Sequence, residues 1–133
     1  MAKLRTPEIE ETLKKYPLYS QDGKGANAKV ILKFFIGSFT FYITEGSDNG
    51  EGDITLFGLT VNGEGAEFGY ISLKELEGVE VKREVIDEPS GRTVGYIRAQ
   101  VERDLYFTPT TLKEIAKTDT VVREHLLMMG YIK

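Results

Sequence analysis

The stretch Asp53–Gly78, DITLFGLTVNGEGAEFGYISLKELEG, reads as two strands joined by a tight turn and running into a capped helix. Asn62-Gly63 is the hairpin signal, because both residues tolerate the positive φ of a type I′ turn, whose twist matches that of the flanking strands. A two-residue loop at that dipeptide sets Val61 opposite Glu64, Leu59 opposite Ala66, Phe57 opposite Phe68 and Thr55 opposite Tyr70. This face is expected to be core. On the other face Leu56 meets Gly69 and Gly58 meets Glu67, leaving room for a second backbone or a helix to approach closely. Ser72 then serves as N-cap with Glu75 three residues on, and Gly78 is expected to supply a left-handed stop.

Working outward, Thr6-Pro7 is an N-cap followed by proline at the first helical position. Ile9, Leu13 and Tyr16 fall near one face, and Pro17 ends the helix. Lys29–Phe35 is apolar on both parities except at Lys33, the pattern of a strand covered on both sides. From Ser38 to Glu45, Phe39, Phe41 and Ile43 alternate with Thr40, Tyr42 and Thr44, as in a half-buried strand. A loop is expected at Gly46–Gly52. Beyond the central helix, Val79–Asp87 and Thr93–Phe107 form a second hairpin around Glu88-Pro89-Ser90-Gly91. In its long strand Ile97, Ala99, Val101, Leu105 and Phe107 share the parity expected to be buried, interrupted by Arg103. Thr111 with Glu114 caps a short helix, and a last helix runs from about Thr120 to Met129 and stops at Gly130. The fold class is therefore α+β: a single domain over residues 1–133, with a twisted, mainly antiparallel sheet of about five to seven strands and short flanking helices.

With 133 residues, 41% hydrophobic and 29% charged, the chain has the composition of one globular domain. Folding at this size buries about two-thirds of the unfolded chain's surface, so a single core suffices. The absence of cysteine excludes disulfides and thiolate metal sites. Neither a signal-peptide run nor a membrane span of roughly 20 apolar residues is present, and the protein is read as cytoplasmic, with no membrane partner. The net charge of −4 is unevenly spread: +3 over residues 1–36, −6 over 37–70 and −1 over 71–133. The acidic middle third disfavours non-specific nucleic-acid binding there and suits a protein partner with a basic surface.

Motifs for catalysis are thin. Gly23-Lys24 lacks the upstream glycine of a phosphate loop, since position 18 is Leu, and Gly25 stands where that loop needs a hydroxyl. Asp48, Glu51 and Asp53 among three glycines do not have the spacing of a calcium loop. The lone histidine, His125, has no serine near it in sequence, so histidine-based catalysis and histidine metal clusters are poorly supported. Glu102 and Asp104 on one strand could serve acid and base roles, but outward carboxylates beside Arg98 and Tyr106 are the usual dress of a solvated face. No catalytic residue, metal or cofactor is therefore expected. Gly-Tyr-Ile occurs at Gly69, Gly95 and Gly130 without a fixed period, so it is no repeat.

Three sets of residues are candidates for function. The acidic rim Glu45, Asp48, Glu51 and Asp53 is the expected contact for a basic protein partner. Arg103 on an apolar parity requires a partner if buried, and Glu45 or Glu67 is expected to supply it, either structurally or as part of an anion-holding site. Tyr70, Tyr96 and Tyr106 are candidates for base stacking in a nucleic-acid reading, as is Tyr42.

Several segments in order, Ile43-Thr44-Glu45, Leu56-Phe57-Gly58-Leu59, Glu67-Phe68-Gly69-Tyr70-Ile71-Ser72-Leu73 with Leu76, and Glu102-Arg103-Asp104-Leu105-Tyr106-Phe107 with Pro109, resemble the domain-of-unknown-function family numbered 2958. The resemblance spans most of the chain. It departs at Phe41, where the family often has tryptophan, and at Asp119–Lys133, which runs beyond the shared region as a C-terminal helical extension particular to this protein. The resemblance implies an accessory protein of bacterial plasmids and other mobile DNA, a family without an assigned activity. By analogy with other such accessories, the leading expectation is a non-enzymatic protein that binds another protein, including inhibition of a restriction or CRISPR nuclease. A nucleic-acid-binding accessory of plasmid transfer or replication is the alternative, and a carboxylate-dependent enzyme comes third.

Overall fold

The computed structural model describes residues 3–133. Helix α1, Pro7–Lys15, starts where Thr6 Oγ1 accepts the Ile9 N–H at 3.2 Å. Strands β1 (Lys29–Val30), β2 (Leu32–Ile36), β3 (Phe39–Asp48), β4 (Ile54–Asn62) and β5 (Gly65–Ser72) come next, then α2 (Leu73–Gly78). The chain continues as β6 (Glu80–Asp87), β7 (Arg92–Gln100), β8 (Glu102–Arg103), β9 (Thr110–Thr111), α3 (Leu112–Ala116) and α4 (Thr120–Met128). A five-stranded antiparallel sheet in the order β5-β4-β3-β2-β8 forms the body, and β1–β9 and β6–β7 are two-stranded sheets. This is the α+β architecture expected from the strand and cap signals.

The body sheet has a core on each face rather than on one. Adjacent residues point to opposite faces of a strand. Accordingly Ile43 and Leu56 pack with Ile9, Leu13, Leu73 and Phe34 on the side of α1 and α2, while Tyr42 and Leu59 pack with Leu112, Val122 and Leu126 on the side of α3 and α4. The segment 119–133 is thereby part of the core: Val122 and Leu126 are fully buried, and Asp119 caps α4 and accepts the Tyr42 hydroxyl at 3.0 Å. Burial, then the adjacent Asp119 carboxylate, pushes the Tyr42 hydroxyl pKa well up.

Four local expectations need correction. The β4–β5 register is offset by two, with Val61 opposite Ala66, Phe57 opposite Tyr70 and Gly58 opposite Gly69. None of Asn62, Gly63 or Glu64 has a positive φ; the Asn62 side-chain oxygen accepts the N–H groups of Glu64 and Gly65 and closes the turn around Gly63-Glu64 instead. An offset of two keeps every side chain on its expected face. Gly78 is the last helical residue with a negative φ, and the cap is Val79, whose N–H reaches Leu76 O. Strand β3 extends to Asp48 and carries a bulge between Ile43 and Glu45, with Thr44 unpaired, which reverses the parity of the residues beyond it. Finally, Thr93–Phe107 is not one strand. Asp104 accepts the Tyr106 N–H in a side-chain turn, β8 leaves β7 to pair with Phe34 and Phe35, and Leu105 and Tyr106 are exposed.

Candidate functional site

The acidic rim expected at Glu45, Asp48, Glu51 and Asp53 does not exist as a unit. The bulge sets Glu45 opposite Phe57 on a covered face of the sheet, where it is 2% exposed and its two oxygens accept the N–H groups of Tyr19 and Gln21, both at 2.9 Å. Asp48 accepts the Gly50 N–H and binds Arg5 at 2.8 Å, and these two contacts, in that order, hold its carboxyl below the usual range. Burial raises the Asp53 pKa but is outweighed by the Ser72 hydroxyl and by the backbone N–H groups of Lys74 and Ile54, so the net shift is downward. Glu51 alone of the four is an exposed carboxylate without an internal bond among the described residues.

Arg103 does not pair with Glu45 or Glu67. Its guanidinium meets Glu8 of α1 at 2.9 Å, where the Glu8 side chain is 72% exposed, and Glu67 faces solvent on β5. The pair ties β8 to the start of α1. Lys33, the other exception to an apolar run, lies 3.4 Å from Asp104 and over the Tyr42 ring.

The three tyrosines are dispersed. Tyr70 packs edge-on against Phe57 at the β5 edge, Tyr96 lies under Lys82 on β7 with the ammonium 4.0 Å from its ring centroid, and Tyr106 is 97% exposed in the turn after β8. No aromatic contact joins any two of them among the described residues. Two other features, neither foreseen, are better formed.

The first is the β6–β7 ribbon. Neither strand packs substantially against another element, so both faces are open. One face carries Val81, Arg83 and Val85 opposite Ala99, Ile97 and Gly95; the other carries Lys82, Glu84 and Arg98 around Tyr96. Val94 is 67% and Ile97 57% exposed. At the ribbon's base is a recess of about 1030 Å³ floored by Leu4 and Val101, with the exposed Leu105 at its edge, and rimmed by two ion pairs, Arg98–Glu80 and Arg103–Glu8. An apolar floor within a polar rim is the anatomy of a protein interface. The alternation along Thr93–Phe107 marks the apolar residues but not that they are uncovered. The second feature is a recess of about 630 Å³ beside α3 and α4, lined by Lys113, Lys117, Arg123 and Lys133 with Tyr131. All four cations lie within residues 113–133, and the packing of α3 against α4 gathers them around one recess.

Among the described residues no group of three or more His, Asp or Glu is placed to hold a metal ion, and no helix is long and apolar enough to cross a membrane. The chain matches no family model, no curated protein and no solved structure.

Proposed function

We propose that this is a non-enzymatic protein-binding accessory whose contact element is the β6–β7 ribbon with the recess at its base. The observation that carries the reading is the ribbon itself: a two-stranded sheet with apolar side chains on open faces, a state that an isolated hairpin in water barely sustains and that a bound partner would cover. Residues 80–100 contain four basic and four acidic side chains, so the ribbon is neutral and suits a protein surface better than a phosphate backbone. The accessory role in bacterial mobile DNA suggested by the resemblance, with inhibition of a restriction or CRISPR nuclease as one form, would be exercised through this contact. The basic partner surface expected at the acidic rim loses its support here, because that rim is consumed by internal bonds.

The test is capture of a partner from nuclease-treated bacterial lysate, with cross-linking through Lys82. The comparison protein carries Ile97→Glu and Val81→Thr; the new carboxylate faces Arg83 across the ribbon, so the hairpin is retained. The expected result is a protein captured by the wild type and lost with the double variant at unchanged melting temperature. Equal capture by both proteins would sink the ribbon as the contact. A nucleic-acid accessory is the second reading, favoured by the recess of Lys113, Lys117, Arg123 and Lys133. It predicts oligonucleotide binding that weakens steeply with salt and falls with Lys113→Gln and Arg123→Gln.

A further inference from the structure

Glu45 presents an unusual balance of charge. A carboxylate 98% removed from solvent ordinarily faces a cation or a metal. Among the described residues none lies within 4 Å of it, and its only partners are two backbone N–H groups. It lines a cavity of about 330 Å³, at the lower end of the roughly 300–1,000 Å³ range of small-ligand pockets. No lysine, arginine or histidine is in the wall. The second carboxylate there, Asp22, is exposed at the mouth.

Three aromatic rings share the rest of the wall with the aliphatic side chains of Ala28, Leu112 and Met129. Phe57 and Phe68 are stacked at 6.2 Å between centroids, and Tyr131 meets Phe68 at 6.3 Å. Tyr131 is fixed by packing on Gly25, where an added Cβ would sit 3.4 Å from the ring. The backbone that answers the carboxylate is held in a costly conformation. Tyr19, whose N–H Glu45 accepts, has φ +72°, the one non-glycine residue with a positive φ among those described. The polar atoms that could otherwise answer the carboxylate are engaged: Gln21 Nε2 donates to the carbonyls of Lys29 and Thr44, and Thr44 Oγ1 donates to Phe57 O.

We infer that this cavity receives an organic cation, the guanidinium or ammonium group of a basic side chain, held between the carboxylates of Glu45 and Asp22 and the rings of Phe57, Phe68 and Tyr131. Aromatic faces attract such cations through the ring quadrupole, and a planar guanidinium can stack on a ring while its edge donates to a carboxylate. A bare metal ion would want oxygen ligands on all sides and gains nothing from phenyl walls. No residue of the β6–β7 ribbon lines the cavity, so this inference and the ribbon reading stand or fall separately.

The experiment is an NMR titration of the full chain with N-acetyl-arginine amide, its neutral isostere N-acetyl-citrulline amide, the lysine and trimethyllysine amides, and calcium chloride. The expected result is saturable shifts of the Phe57, Phe68 and Tyr131 ring resonances with the arginine derivative and none with citrulline. The lysine arms then rank guanidinium against ammonium. Asp22→Asn, an exposed change that leaves the fold alone, should weaken binding about threefold, and Phe68→Leu about fivefold. Glu45→Gln should abolish it, with Asp22→Asn as the safeguard if that variant unfolds. Equal shifts with arginine and citrulline, shifts confined to resonances elsewhere, calcium producing the same shifts, or no response to any cation would each overturn the inference.

Discussion

The β4–β5 and β6–β7 hairpins have similar sequence patterns and opposite fates. In β4, Leu56 and Leu59 point to opposite faces and both are completely buried, because α1 and α2 cover one face and α3 and α4 the other. In β7, Ile97 and Val94 sit in an equally regular alternation and are more than half exposed. Among the described residues all four α-helices are already committed to the body sheet. Alternation therefore reports that a strand has two faces, whereas coverage depends on how many layers the rest of the chain can supply.

The largest effect that tests this contrast is truncation on each side of it. Phe34→Ala empties a fully buried site and should cost about 3–5 kcal/mol, while Ile97→Ala should stay within about 0.5 kcal/mol. Chemical denaturation of both variants checks the pair. A comparable loss for Ile97→Ala would mean that the ribbon is covered in solution, as by a second copy.

Next in size is a pair of glycines opposite each other in one register. A Cβ at Gly58 would lie 2.1 Å from the Tyr42 carbonyl oxygen, where the β3 bulge presses its backbone against β4, whereas a Cβ at Gly69 meets nothing within 4 Å. Gly58→Ala should lose about 1–3 kcal/mol or more, and Gly69→Ala should be neutral or gain a few tenths of a kcal/mol. Thermal melts read both. A neutral Gly58→Ala would show that the bulge yields readily.

A smaller effect belongs to the corner where β5 enters α2. Ser72 Oγ accepts the Glu75 N–H and donates to Asp53, so Ser72→Ala should cost about 1 kcal/mol. Asp53 has a lowered folded pKa, so its contribution is present above the ordinary carboxylate range and is lost as pH falls through the folded value. The difference between wild type and Ser72→Ala should accordingly shrink on acidification. A difference independent of pH would leave Asp53 out of the cap.

Legibility in the sequence tracks the range of the interaction. The caps Thr6, Ser72 and Thr111 act over three residues, and all three accept the N–H expected of them. The central hairpin forms where its turn signal lies, but its register turns on whether Asn62 occupies the turn or bonds across it, a choice between two local hydrogen-bonding schemes. Glu45 is buried against expectation because both faces of the sheet are covered, and the extra residue Thr44 moves it from the Ile43 side to the Phe57 side, a shift that nothing in an alternating run announces. The cavity has no signature in the sequence: Asp22, Glu45, Phe68 and Tyr131 come from four distant segments, and only the packing of α4 on the sheet brings Tyr131 over Gly25.

Arg103 supplies the smallest effect and the last test of the contrast between covered and open surface. Its position on an apolar parity argues for a buried pair, whose disruption is costly. Its partner is instead Glu8, 95 residues away and mostly in water, so solvent and salt screen the attraction. Arg103→Met should therefore melt close to the wild type. The residual difference has a definite sign. The hydrogen bond from Arg103, then its charge, lowers the folded pKa of Glu8, so any stabilisation is complete above the unfolded carboxylate pKa and disappears as pH falls through the lowered value. Wild type and Arg103→Met should thus differ slightly near neutral pH in low salt and coincide once the pH has fallen below the lowered Glu8 value, or in molar salt. A large loss that survives both acid and salt would place Arg103 among the buried groups of the body sheet and return it to the role that its place among apolar residues first suggested.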